Sequence, residues 1–412
     1  MGILIFLIST KFIINKIDVS GYGYYTFFSS LIGTFSILDG GLILAVSKYL
    51  SEYFKKGNFE ESNQVISFAF AFYIVLGFSI IILINIFNST LISILNIDQK
   101  YAEINGAVLF ICTLIFTINL LNSVFISILT SLEKWKTISL INILSKLLSA
   151  VFLIFVVYHV ESVLSKIKYI FISLLIISIL KCIVYYLFSK IYFKEIKIVY
   201  PEQKIRTVLF AFLKQSSIQY LLSLFLGHFD KFIVTKYFGI KAMGVFGFVT
   251  NSFIYIYGFL VNGFKIFFPK MSQFHGDMLL DLLKNYFMKL LKYSFYASII
   301  ISATSMLAWK TLITLYIDSD FAEKSWYFFS LYSLLLIFRS PEPIFHMLFN
   351  AIAKPAILVQ NLVILAPTTI LGYFLFVPLI GAGGLILASI VGNIVVYSYN
   401  YHFIRKIMLN NI

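Results

Sequence analysis

Residues 227–275 read GHFDKFIVTKYFGIKAMGVFGFVTNSFIYIYGFLVNGFKIFFPKMSQFH. The stretch ends one apolar helix, turns through a short polar loop and runs a second helix into Pro269-Lys270. A paler copy, KFIINKIDVSGYGYYTFFSSLIGTFSILDGGLILAVSKYLSEY, covers residues 11–53. Lys11-Phe12-Ile13 and Lys16 match Lys231-Phe232-Ile233 and Lys236 at an offset of 220. Gly23 and Phe27 meet Gly244 and Phe248 at 221, as Ser51-Glu52-Tyr53 meets Ser272-Gln273-Phe274. The tight turns at Lys134 and Lys354 also lie 220 apart. That offset is about half the chain, so the pattern predicts an internal duplication.

Only 12% of the residues are charged and 60% are hydrophobic, whereas soluble domains carry roughly a quarter charged residues. Apolar runs recur along the whole length, and about 20 such residues cross a bilayer as a helix. Backbone groups in lipid must be bonded within their own segment, which favours helices. The alternation of a membrane barrel is absent. Helices are expected near 3–17, 23–46, 64–87, 104–130, 137–158, 169–189, 207–229, 244–268, 290–315, 325–350, 357–377 and 382–403. The predicted fold is an all-α membrane protein of about twelve transmembrane helices in two six-helix lobes, 1–197 and 198–412. The basic stretch 190–206, with Pro201, reads as the linker. Lys11 has only ten residues before it, so the first helix reads as short, and no signal-peptide pattern precedes it. DMLLDLLKNYFMKLLK (277–292) fits either a helix lying at the headgroups or the solvated start of a long helix.

A net charge of +14 suggests nucleic acid until the charges are placed. With the N-terminus inside, the inner segments hold 17 basic residues and the outer segments 9. The positive-inside rule then puts both termini in the cytoplasm and accounts for most of the excess, which excludes a nucleic-acid partner. Cys112 and Cys182 fall inside helices and imply neither disulfide nor metal. The five histidines share no metal-ligand spacing, and PLIGAGG (378–384) lacks the Lys-Ser/Thr of a phosphate loop. No nucleophile–base constellation is present, so neither an enzyme nor a cofactor is expected.

A charge near the bilayer centre costs about 2.5–3.5 kcal/mol on insertion scales, so each one needs a reason. Lys265 and Lys310 lie near helix ends and can snorkel. Lys214 sits in the inner third of the seventh helix. Lys146 and Lys181 fall mid-way along the fifth and sixth helices, where snorkelling is hard. Arg339-Ser340-Pro341-Glu342-Pro343 is the sharpest feature: two prolines break the hydrogen-bond ladder, and Arg339 can pair with Glu342 on one face. It fits a transport site or a structural ion pair. Asp39, before Gly40-Gly41, fits a capped kink or a proton or cation site. Six basic residues against two acidic ones would attract an anion.

GYGYYTFFSSLIGTFSILDGGL, Lys48-Tyr49 and the loop KKGNFEESNQ resemble the opening helices of Wzx-type oligosaccharide flippases, in the multidrug/oligosaccharidyl-lipid/polysaccharide exporter superfamily. FDKFIVTKYFGIKAMGVFGF with FFPKMSQF, Asn350 to Lys354, and VPLIGAGGLILASIVGN resemble later helices of that family. The resemblance implies MATE-like lobes related by a pseudo-two-fold around a cavity, working by alternating access. The cargo it implies is an undecaprenyl-pyrophosphate-linked oligosaccharide, flipped across a bacterial inner membrane for O-antigen, capsule or exopolysaccharide. It implies polymerase and chain-length regulator partners and an H⁺ or Na⁺ coupling ion. The positions that fit pyrophosphate contact are Lys11, Lys146, Lys181, Lys231 and Arg339; Asp39 and Glu342 fit ion coupling. A cation-coupled drug antiporter of the same superfamily and a non-transporting membrane scaffold are the competing readings.

Overall fold

The computed structural model describes residues 2–36, 41–95, 97, 99–352, 354 and 356–409. In chain order the helices are α1 (Gly2–Ser36), α2 (Leu42–Lys55), α3 (Phe59–Ile86), α4 (Asn88–Leu95), α5 (Ala102–Ser131), α6 (Trp135–His159) and α7 (Val163–Tyr192). They continue with α8 (Gln203–Lys265), α9 (Phe268–Gly276), α10 (Leu280–Tyr316), α11 (Ser319–Arg339), α12 (Glu342–Ala351), α13 (Ala356–Ile380) and α14 (Gly383–Leu409). No strand occurs among the described residues. Among the described residues, eight helical stretches are long and apolar enough to cross a membrane. Leu307 is 84% exposed, and apolar helix faces of this kind need lipid around them. The chain is a multi-pass helical membrane protein.

The duplication is plainer in the element ends than in the residues. α3 and α10 begin 221 positions apart, α7 and α14 begin 220 apart, and α5 and α12 end 220 apart. α6 and α13 are both 25 residues long and begin 221 apart. α1 leaves helical geometry at Asp18 (φ 74°, ψ 174°), and α8 does so at Gly239 (φ 82°, ψ 170°), again 221 apart. Breaks between two helices were expected at both places, and at each a single non-helical residue parts two helical stretches. Glycine adopts positive φ freely. Asp18 does so with local support, because its Oδ1 accepts a 2.7 Å bond from the Gly21 N–H.

The chain forms two compact units, residues 1–244 and 245–412. In the first, α2, α3 and α5 present Leu42, Val46, Leu50, Val65, Ile66, Ala69, Phe116, Leu120, Val124 and Ile128 to one core, closed by Tyr185, Leu209 and Leu213. Their spacing of three to four residues is the stripe a helix turns toward its neighbours. In lipid such stripes associate by close packing, since the surroundings are as apolar as the core. The second half of α1 crosses residues 240–244 of α8 with backbones touching. A Cβ on Gly23 would stand 1.9 Å from the Ile240 carbonyl oxygen, and one on Gly244 would stand 2.3 Å from that of Val19.

The basic linker 193–202 is extended but tied down by α3. Asn63 donates to the Glu195 carbonyl (2.8 Å) and accepts from the Lys197 N–H (3.0 Å). Ser67 accepts from Val199 N–H (2.8 Å), and Gln64 accepts from Glu202 N–H (2.9 Å). In the second unit, Leu283, Phe287 and Leu290 of α10 pack on Met271 of α9 and on Ile344, Phe345 and Leu348 of α12. The apolar face of 277–292 thus meets protein, and α10 runs unbroken to Tyr316, so the stretch starts a long helix.

Two outcomes follow from this packing. Gly23→Val overpacks the helix crossing and lowers stability by roughly 1–3 kcal/mol, read as an earlier thermal unfolding midpoint in detergent. Gly258→Ala, with nothing within 4 Å of its Cβ, leaves the midpoint in place. Asn63→Ala loosens the linker, so limited trypsinolysis at Lys194 and Lys197 proceeds faster than in the parent protein.

Candidate functional site

Lys146 of α6 and Lys181 of α7 lie on helices that pack together, each four residues from a bonded pair that joins them, Asn142 of α6 and Tyr185 of α7. The helix stripes say which way they face. On α6, Ile138, Asn142, Lys146, Leu153 and Val157 recur at helical spacing, and Ile138, Leu153 and Val157 are buried. The lipid-facing stripe is different: Leu140, Leu144, Leu148, Val151, Phe155 and Tyr158 are all exposed. Lys146 is exposed although it lies on the protein-facing stripe. On α7, half-buried Lys181 falls one turn from each of two buried residues, Ile177 and Tyr185.

Their surroundings are polar but not acidic. The Tyr185 hydroxyl donates to Asn142 Oδ1 at 3.1 Å. The Lys181 ammonium stands 5.6 Å from the Tyr185 ring centroid, a favourable cation–π placement. Among the described residues neither lysine has a carboxylate in salt-bridge range. Lys146 lies eleven residues into α6, and Lys181 eleven residues before the end of α7. At 1.5 Å per residue both are about 16 Å from the nearer helix end. An ammonium at that depth is costly unless water or an anion stands beside it.

Arg339 and Glu342 make the opposite arrangement. α11 stops at Arg339 and α12 starts at Glu342, with Ser340-Pro341 between them, as expected where proline removes a backbone donor. Arg339 Nε donates to Glu342 Oε2 at 2.6 Å, and the Tyr257 hydroxyl donates to the same oxygen at 2.8 Å. The guanidinium also covers the Tyr257 ring at 4.6 Å. Glu342 Oε1 faces His346 Nε2 at 3.9 Å. Tyr257, Lys265, Glu342, His346 and Asn350 line a cavity of about 520 Å³ together with Val261, Phe268, Pro343 and Met347. The charge of Arg339 is thus answered by its neighbour rather than offered to an anion.

The remaining candidates are dispersed. Lys231 is 6% exposed, beside Asp230, whose carboxylate accepts the Lys231 N–H at 2.8 Å. Lys11 is exposed on α1. Asp39 lies outside the described residues. Asp230 falls within the helix too, one residue beyond the expected end of the seventh helix at 229, and His228 lies just inside that end. The helix continues to the Gly239 kink, and the His228 ring lies against Gly33 of α1. The repeat held the missing signal: Lys11 sits inside the first helix, so its match Lys231 belongs inside a helix too.

The fold is that of the MOP superfamily transporters. A MATE family multidrug resistance transporter of that superfamily, in an inward-facing conformation, superposes with a TM-score of 0.79 at 14% identity, over 100% of this chain and 95% of that one. The lipid II flippase MurJ, in an inward closed conformation, gives 0.78 at 17% identity over 98% and 86%. A MOP superfamily transporter from Pyrococcus furiosus gives 0.53 at 13% identity over 99% and 95%. No curated protein matches the sequence. Residues 55–325 match the polysaccharide biosynthesis protein family. The chain belongs to that family.

If Arg339 and Glu342 act as a pair, losing either one strands a half-buried charge. Arg339→Ala and Glu342→Ala each lower thermal stability more than Arg339→Ala/Glu342→Ala together, with a coupling of roughly 1–3 kcal/mol in a double-mutant cycle.

Proposed function

We infer that this protein flips an undecaprenyl-pyrophosphate-linked oligosaccharide across a bacterial inner membrane by alternating access, supplying surface polysaccharide synthesis. The observation that carries the reading is the pair Lys146 and Lys181: two cations on protein-facing stripes of packed helices, mid-span, with no carboxylate in salt-bridge range among the described residues. A pyrophosphate carries the complementary charge, and its passage through the apolar slab needs such a stop. Family membership supports a role in polysaccharide assembly. The repeated element ends support two lobes, 1–197 and 198–412. Lys134, Lys136, Lys190, Lys194 and Lys197 cluster at the ends of α5, α6 and α7 that the positive-inside rule assigns to the cytoplasm, with both termini on that side.

Arg339 has a different part in this account. Paired with Glu342, it holds the broken helix rather than the pyrophosphate, while Glu342 Oε1, open to the cavity, suits a coupling H⁺ or Na⁺. Lys231 and Lys11 are secondary contacts. A drug/cation antiporter would need an acidic binding centre, whereas the mid-span pair Lys146 and Lys181 is basic. A scaffold would leave export indifferent to the lysines.

The test is restoration of polymer export in a flippase-deleted strain. Lys146→Ala and Lys181→Ala are each expected to cut export about tenfold, the loss of one charge-assisted contact. Lys146→Arg keeps most activity. Export unchanged in both alanine variants at equal protein levels overturns the reading.

A further inference from the structure

The extended segment between α7 and α8 lies on the face of α3 that the rest of that helix gives to lipid. Ala71, Ile74, Val75, Phe78 and Ile82 are exposed apolar residues, and their spacing marks one helix face. Counted back at the same spacing, that face continues through Ser67 and Gln64, with Asn63 at its edge. Those three side chains hold the backbone of Glu195, Lys197, Val199 and Glu202. The segment thus sits at the lipid boundary of its unit. Backbone outside a helix needs its polar groups answered near hydrocarbon, which gives polar residues on a lipid-facing stripe their reason.

The length of α3 sets the depth. Its 28 residues span about 42 Å, against a hydrocarbon core of about 30 Å. The helix stays apolar and exposed as far as Ile86, so about twenty residues, Ser67 to Ile86, match the core. Asn63 stands about 6 Å before Ser67, within one headgroup layer. At that level the segment turns Ile198 and Tyr200 outward, 83% and 80% exposed. Lys194, Lys197 and Lys204 are exposed with them. Arg206 Nη1 donates to the Tyr200 hydroxyl at 3.3 Å. Residues 190–206 carry five basic residues against two acidic ones. Phe193, packed on Phe54 and Phe59, and Ile205, in the core of the unit, pin the two ends. Apolar tips and cations together at headgroup depth are the composition of an interfacial anchor.

We propose that the α7–α8 segment is a docking surface for the anionic phospholipids of the surrounding leaflet. Lys194, Lys197 and Lys204 meet headgroup phosphates while Ile198 and Tyr200 sink toward the first acyl carbons. Charge and position choose this occupant: the segment is net positive and is continuous with a stripe that already faces lipid. The proposal concerns the lipid around the protein and uses none of the residues of the transport reading.

Spin labels test it in full-length protein with Cys112 and Cys182 replaced by alanine. Cysteines at 198 and 200 are labelled one at a time; both native side chains are exposed, so their replacement leaves the fold intact. Immersion is the ratio of collisions with oxygen, which concentrates in acyl chains, to collisions with a soluble nickel chelate. Labels at Phe78, exposed on α3, and at Lys56, exposed in the turn before it, give the lipid and water limits. In vesicles of phosphatidylcholine and phosphatidylglycerol in equal parts, positions 198 and 200 are expected on the lipid side of the midpoint. Lys197→Gln weakens immersion about fivefold, the share of one lysine at an anionic surface, and vesicles of phosphatidylcholine alone weaken it further. Labels at 198 and 200 that match position 56 overturn the proposal, because the segment then stands in water. Immersion indifferent to phosphatidylglycerol also overturns it, as the headgroup contact is then absent. Farnesyl diphosphate that abolishes the phosphatidylglycerol dependence at trace amounts would assign the surface to an isoprenoid lipid instead and overturn it too.

Discussion

A charged side chain in an apolar slab must have a partner, water or a purpose, because exposure to hydrocarbon costs about 2.5–3.5 kcal/mol on insertion scales. This chain meets that constraint in two ways. In the second unit Arg339 is answered by Glu342, Tyr257 and the broken end of α11. In the first unit Lys146 and Lys181 flank the Asn142–Tyr185 bond, with no carboxylate in salt-bridge range among the described residues. The first arrangement is self-contained. The second is complete only with water or an anion beside it, and so it is the one that bears on function.

The duplication sharpens the contrast. α6 and α13 share their length and their place in the repeat, yet at an offset of 221 Lys146 corresponds to Pro367, inside α13. At 220, Glu342 corresponds to Asn122, buried in unbroken α5. The repeat preserved helix ends, kinks and glycine crossings, which packing demands. It preserved Lys11 as Lys231 and Lys16 as Lys236, but not Lys146 or Glu342. Packing thus constrains both copies alike, whereas Lys146 and Glu342 each belong to one copy.

Much of the fold was legible because lipid makes helices obligatory and because one offset recurs. The apolar runs gave the helices, Pro341 and Pro343 gave the α11–α12 break, and the polar stretch 190–206 marked the extended segment between α7 and α8. Kinks at Asp18 and Gly239 read as loops, since a positive-φ residue inside a helix leaves no composition signal. Of the site, Lys146, Lys181, Arg339 and Glu342 were visible as charges out of place. Their partners Tyr185, Tyr257 and Asn142 were not, for 27 tyrosines offer no pattern that picks two. The linker's bonds to Asn63, Gln64 and Ser67 join positions more than 130 residues apart and have no local signature.

The central claim is that the lysine pair faces water inside the membrane. Substituted-cysteine accessibility measures that directly. In a background with Cys112 and Cys182 replaced by alanine, cysteines at 146, 181, 144 and 187 are exposed to a charged, membrane-impermeant thiol reagent, which attacks only a hydrated thiolate. Cysteines at 146 and 181 should react, and an isoprenoid diphosphate should protect them, while those at the lipid-facing positions of Leu144 and Leu187 stay inert. Equal inertness at all four positions would contradict the account.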